Sequence, residues 1–243
     1  MFSLIKIMDP LSPSEQVESD KAQEYVRTHE KELIKKFADP KIYIPDSQPV
    51  SLFMAGSPGA GKTETSKRLI ETFHSKPVRI DADEIREFIP WYDGMKAYLF
   101  QRAANKGVNM LFDFALHKNI NLILDGTFAY EGVEQNIRRS LERNRQIVIY
   151  YIFQEPKRAW EVVLAREAIE HRRVSKDVFI RSFIAARNNI DMIKEKFGPK
   201  IQLNIIAKDF AIDSEKIELA VPAIDQYLPK VYTEDELKSI IEV

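Results

Sequence analysis

Residues 54 to 65 read MAGSPGAGKTET, and their reading decides the fold. An apolar run from Ser51 to Ala55 enters a loop that holds three of the chain's eight glycines, and Lys62-Thr63 then opens a helical pattern. Gly56 and Gly61 bracket four residues before Lys62 and Thr63, which is the G-x-x-x-x-G-K-[ST] pattern of a phosphate-binding loop. The residue types follow from the task. Glycines let backbone N–H groups converge on phosphate oxygens, and the start of the helix adds the positive end of its dipole. The loop Gly56, Ser57, Pro58, Gly59, Ala60, Gly61, Lys62, Thr63 and Glu64 is therefore the candidate nucleotide cradle. Lys62 is expected on the β and γ phosphates of ATP, and Thr63 on Mg²⁺.

Working outward, further short apolar segments alternate with helical ones: Val78 to Ile80, Asn121 to Leu124, residues 146 to 153 (QIVIYYIF) and residues 201 to 207 (IQLNIIA). Strands that are apolar throughout and separated by helices point to a parallel sheet covered on both faces. The expected fold is α/β: a P-loop NTPase or kinase core with a five-stranded parallel sheet over residues 50–210, carrying a lid around 157–195. Residues 14 to 37 read as one charged amphipathic helix with Val17, Ala22, Tyr25, Val26, Leu33 and Phe37 on one side, so 1–49 form an N-terminal helical extension. Residues 211–243 are expected to close the chain with two helices, Ser214 to Leu228 and Glu234 to Val243, the second opened by a Thr233/Glu236 capping box.

Composition excludes several classes. The chain of 243 residues has a formal net charge of −1, so no global field draws it to nucleic acid or anionic membrane. It has no cysteine, which removes disulfides, thiol catalysis and the usual ligands of structural zinc, and fits a reducing compartment. No apolar run approaches the roughly 18 residues of a membrane span, and the expected location is the cytoplasm.

Three further stations carry chemistry. VRIDADEIREF, residues 78 to 88, ends an apolar strand on Asp81, Asp83, Glu84 and Arg86. Ligands of such sheets lie beyond the carboxyl ends of the strands, and a carboxylate there can take the proton of an attacking hydroxyl. Asp83 is the candidate base, Arg86 its brace or a holder of the acceptor, and Asp81 a base-side carboxylate or a helix cap. NLILDGTFAYEG, residues 121 to 132, delivers Asp125 and Thr127. Asp125 serves either metal or acceptor, and Thr127 binds acceptor or caps the next helix. After the strand at 146 to 153, Arg166, Arg172 and Arg173 cluster in the lid region, where arginines stabilise a transferring phosphoryl group. Arg158, Arg181 and the run RRSLERNR at 138 to 145 read as solvated basic faces, and FIPWYDG at 88 to 94 as core packing.

These stations together resemble the zeta toxin family of P-loop kinases over roughly residues 50 to 210. The carriers are GSPGAGKT, then DADEIR with Asp83 at the base position, then DGT, then the lid arginines. The resemblance implies that Asp83, Lys62, Arg166 and Arg173 are catalytic, with Arg172 the alternative to Arg173. It implies that Arg86, Asp125 and Thr127 bind substrate, with ATP and Mg²⁺ as cofactors. The acceptor it implies is a small molecule, the nucleotide sugar UDP-N-acetylglucosamine. For a chain acting as a toxin it also implies a small antitoxin that blocks the nucleotide site. Asp83 and Arg86 also resemble the corresponding pair of polynucleotide 5′-kinases, and an NTP-driven switch is the reading from another class.

Overall fold

The computed structural model describes residues 11–170, 174–209 and 214–242. Its first elements are the helices α1 (Pro13–Thr28) and α2 (Glu30–Phe37). The single helix expected over 14 to 37 is broken at His29, which ends α1 with φ −106°. The preceding Thr28 turns its hydroxyl back onto the Glu24 carbonyl at 2.9 Å, a bond that competes with continuation of the helix. Ala22, Val26 and Leu33 are fully buried, whereas Val17, expected on the same side, is 69% exposed.

The core alternates strands and helices as expected: β1 (Val50–Ala55), α3 (Lys62–Ile70), β2 (Val78–Asp81), α4 (Ala82–Arg86), α5 (Gln101–His117), β3 (Leu122–Asp125), α6 (Val133–Leu141), β4 (Gln146–Phe153), α7 (Pro156–Glu170), α8 (Lys176–Phe197) and β5 (Ile201–Asp209). These five strands are parallel, in the order β2-β3-β1-β4-β5, with Phe53 level with Leu124 and Ile149. A sixth strand, β6 (Ser214–Glu218), corrects the five-strand expectation. It pairs antiparallel with β5, Ile206 facing Ile217. The segment read as a closing helix from Ser214 instead supplies partners to the exposed edge of β5. The helical pattern expected for this segment is cut by Pro222, and the strand is tied to α3 by Glu215, which pairs with Arg68 at 2.7 Å. The last helix, α9 (Glu234–Ile241), has the expected capping box between Thr233 and Glu236.

The period-two alternation of β1 divides the interior. Phe53 and Ala55 join one large apolar cluster with α1, α2, α5 and α6, while Leu52 and Met54 join a smaller one with Leu69, Ile70 and Phe73 beside α3. A third cluster is formed by α7, α8 and α9 around Trp160, Phe179, Phe183 and Leu237. The lid expected at 157–195 falls within α7 and α8, and the expected boundary at 210/211 lies outside the described residues.

The N-terminal helices press on the site through α5. A β-carbon at Gly107 would stand 2.6 Å from Ile85 Cγ2 and within 3.5 Å of Val26 and Leu33, so α1, α2 and α4 all close on this one point of α5. Filling it forces them apart. Gly107→Val should lower unfolding stability by about 2 kcal/mol in urea titration; an unchanged midpoint would contradict this packing.

Candidate active site

The loop after β1 is fixed by backbone contacts that leave no room for side chains. Gly56, Gly59 and Gly61 have φ of +137°, +76° and +85°. A β-carbon would stand 2.3 Å from the Ile152 carbonyl at Gly56 and 2.0 Å from the Ala159 carbonyl at Gly59. Glycine is required at both on two grounds, conformation and space. The loop is thus pressed between the end of β4 and the start of α7. Gly56 N–H donates to the Thr127 carbonyl at 3.1 Å, and Lys208 of β5 donates to the Gly61 carbonyl at 3.3 Å. Lys62 Nζ donates to the Ser57 carbonyl at 2.7 Å.

The loop forms one wall of a cavity of about 850 Å³. Asp81, Asp83 and Arg86 from β2 and α4, Asp125 and Thr127 from the end of β3, and Arg166 from α7 also line it. The sequence-predicted residues Lys62, Thr63, Asp83, Arg86, Asp125, Thr127 and Arg166 are thereby brought to one cleft. Arg172 and Arg173 lie outside the described residues.

Asp81 caps α4, accepting from the Asp83 N–H at 2.8 Å. Asp83 is ion-paired with Arg86 one turn on. Arg86 is 3% exposed, and its burial, opposed by the charges of Tyr92 and Asp81, pushes its pKa down from the ordinary arginine value. Thr127 does not cap α6, whose N-cap is Gly132; its hydroxyl accepts from Ala129 N–H at 3.3 Å, and the turn it makes presents its carbonyl to the phosphate loop.

A residue the sequence reading passed over ties the stations together. In β2, Val78 and Ile80 face the large core, so Arg79 and Asp81 face the other way. Arg79 pairs with Asp81, with Glu84 and, at 2.7 Å, with Asp125. Asp125 Oδ2 also accepts from Ser66 Oγ of α3 at 2.6 Å. Burial disfavours the charge on Arg79, but Asp125 and Asp81 more than offset it, so its pKa is raised. One guanidinium therefore joins the helix after the phosphate loop to the strand ends that carry Asp125 and the Asp83 turn. The available signal was an arginine inside a strand of a parallel sheet, a position covered on both faces that requires buried partners.

The far wall of the cavity comes from α5 and α6. Gln101, Asn105, Asn109 and Asp113 follow one another at four-residue spacing along α5 and all line the cavity, opposite Gln135, Asn136 and Arg139 of α6. Arg139 is ion-paired with Asp113. Tyr130, also in the lining, accepts from Asn136 Nδ2 at 3.0 Å, and burial pushes its pKa up to about 12. The run at 138 to 145 is a solvated face only in part: Arg138 pairs with Glu134 on the surface, but Arg145, expected there too, is buried because the Val50 and Ile120 carbonyls accept from its guanidinium. Arg158 pairs with Glu161 on the surface, Arg181 bonds the Asp177 carbonyl, and Phe88, Trp91 and Tyr92 pack against the main core.

A family model described as zeta toxin matches residues 34–214. The chain belongs to the zeta toxin family. Zeta toxins are a family of P-loop phosphotransferases, and nucleotide binding is the property this loop shares with them. No curated protein sequence matches the chain. Among solved structures, one from the PezAT chromosomal toxin-antitoxin system of Streptococcus pneumoniae superposes with a TM-score of 0.62 at 16% identity, over 96% of this chain and 88% of that one. The AvrRxo1-ORF1:AvrRxo1-ORF2 complex with sulphate ions gives 0.58 at 14% identity, over 90% and 73%. The same pair with ATP gives 0.56 at 14%, over 89% and 73%. At these identities the likeness is one of fold, and it is the zeta toxin fold.

In this zeta toxin fold Arg79 is the cation between buried carboxylates. Arg79→Met leaves Asp81 and Asp125 without it, and stability should fall by about 3 to 5 kcal/mol by urea unfolding. A loss within about 0.5 kcal/mol would show that the pairs contribute nothing net.

Proposed function

We propose that the protein transfers the γ-phosphate of ATP to a hydroxyl of a small acceptor, a nucleotide sugar such as UDP-N-acetylglucosamine. The observation that carries this reading is a single cavity running from the phosphate loop past Asp83 to the carboxamide wall of α5 and α6. The sheet order puts β3 between β1 and β2, so the Asp83 turn stands two strands from the loop and beside α5. A nucleotide held at the loop and an acceptor held against the carboxamides would meet at that carboxylate.

Asp83 then takes the proton of the attacking hydroxyl as the oxygen–phosphorus bond forms and ADP departs. Lys62 leaves the Ser57 carbonyl for the phosphates, and Arg166, together with Arg173 or Arg172, stabilises charge on the transferring group. Mg²⁺, when bound, would supply charge neutralisation at the phosphates. Thr63 is suited to hold it: its hydroxyl sits in the first turn of α3 in the lining, and Mg²⁺ takes few protein oxygens beside those of phosphates and waters. Asp125 is committed through Oδ2 to Ser66 and Arg79, so it serves metal or acceptor only through its other oxygen.

Asn and Gln groups suit the hydroxyls and acetamide of a sugar, each offering both a donor and an acceptor. A polynucleotide acceptor needs clustered cations for its backbone, and the arginines of this arm are paired, Arg86 with Asp83 and Arg139 with Asp113. A small antitoxin that covers the nucleotide cleft is the proposed protein partner, supported by family membership and by the toxin-antitoxin system of the PezAT neighbour. No helix among the described residues is long and apolar enough to cross a membrane.

The test is ATP turnover with Mg²⁺, with and without UDP-N-acetylglucosamine, with products read by mass. A phosphorylated nucleotide sugar should form and should fall about 10² to 10⁴-fold with Asp83→Asn. ADP formed equally without acceptor and undiminished in the variant would contradict transfer.

A further inference from the structure

Arg86 is a buried side chain ion-paired with Asp83, and its own orientation has a visible cause. One terminal nitrogen donates to Asp83 Oδ1, the other to the side-chain oxygen of Gln101. The guanidinium is 3% exposed, and its Nε has no hydrogen-bond partner. Gln101 therefore meets one of the guanidinium's needs that water does not reach.

The chain of bonds has only one polarity. Guanidinium nitrogens only donate, so Gln101 must turn its oxygen to Arg86 and its amide nitrogen away. That amide donates to Asn105 Oδ1 at 2.7 Å, which in turn commits Asn105 to accept. Asn105 stands one helical turn on and lines the cavity. A directed series thus runs from the cavity wall through Gln101 and Arg86 to the carboxylate.

We propose that Gln101 is a positioning residue for the phosphotransfer: its carbonyl holds the Arg86 guanidinium against Asp83, and its bond to Asn105 fixes which way that carbonyl faces. The inference rests on the proposed role of Asp83 as base. Without the Gln101 oxygen, a second guanidinium nitrogen would be buried unpaired, and Arg86 would swing toward another acceptor. Asp83 would keep its charge but lose the bond by which Arg86 directs its Oδ1. Nucleotide binding, made two strands away at the loop, would not change.

Two measurements test this on the full chain. The first needs no acceptor: ¹⁵N NMR of the arginine side chains, with Arg86 assigned by its loss in Arg86→Lys. The wild-type protein should give separate, slowly exchanging Nη signals for Arg86, and Gln101→Met should average them. Signals unchanged in Gln101→Met would overturn the proposal whatever the acceptor is. The second is steady-state kinetics with ATP and UDP-N-acetylglucosamine. Gln101→Met should lose about tenfold in kcat, with the KM for ATP within about twofold and the protein still folded at the assay temperature, as expected for a lost hydrogen bond to a charged group. In the Arg86→Lys background the same substitution should cost no more than about twofold further. A tenfold cost in both backgrounds, or a loss confined to KM or Tm, would overturn the proposal. If Asp83→Asn kept full activity, the base reading would fail instead, and the NMR result would separate the two failures.

Discussion

The phosphate loop lies so close to two carbonyls that no side-chain carbon fits at Gly56 or Gly59, and the rest of the structure is arranged around that closeness. The Ile152 carbonyl belongs to the end of β4 and the Ala159 carbonyl to the first turn of α7. The neighbouring strand β4 and the helix α7 are therefore set in place by the loop itself. Contacts this short are rigid, since any added atom must displace backbone. The loop is shaped before nucleotide arrives, so little ordering remains to oppose binding.

From this fixed edge, charge carries position across the sheet. Arg79 links Asp125, Asp81 and Glu84, and Ser66 of α3 shares the Asp125 oxygen with it. Asp81 in turn caps the helix on which Asp83 and Arg86 stand. The ends of β2 and β3 and the starts of α3 and α4 are thereby registered to one another by buried, charge-assisted bonds, which hold geometry more strictly than apolar contact does. The N-terminal helices press on α5 from behind at Gly107, and α5 presents its carboxamides to the cavity. An extension that reads as peripheral in sequence thus forms part of the support for the site.

Much of this was legible in the sequence. The loop announces itself because glycine spacing, the following lysine and threonine, and the flanking strand and helix all express one requirement. Asp83, Arg86 and Asp125 were found because they follow apolar strands, where the sheet opens. Arg79 and Gln101 were not, because their importance lies in partners distant in sequence: Asp125 for one, a guanidinium fifteen residues away for the other. Ser214 to Glu218 read as helix because its charges permit one. What made it a strand is the open edge of β5, a tertiary fact. The break at His29 has a local cause, the Thr28 hydroxyl, that hydrophobic periodicity does not register.

In the proposed reaction nucleotide and acceptor occupy one cleft together, and phosphate passes directly between them. Initial rates measured over a grid of ATP and UDP-N-acetylglucosamine concentrations test it most directly. Direct transfer gives double-reciprocal lines that intersect, the pattern of a complex holding both substrates. Parallel lines, the mark of a phosphorylated enzyme formed before the acceptor binds, would contradict it.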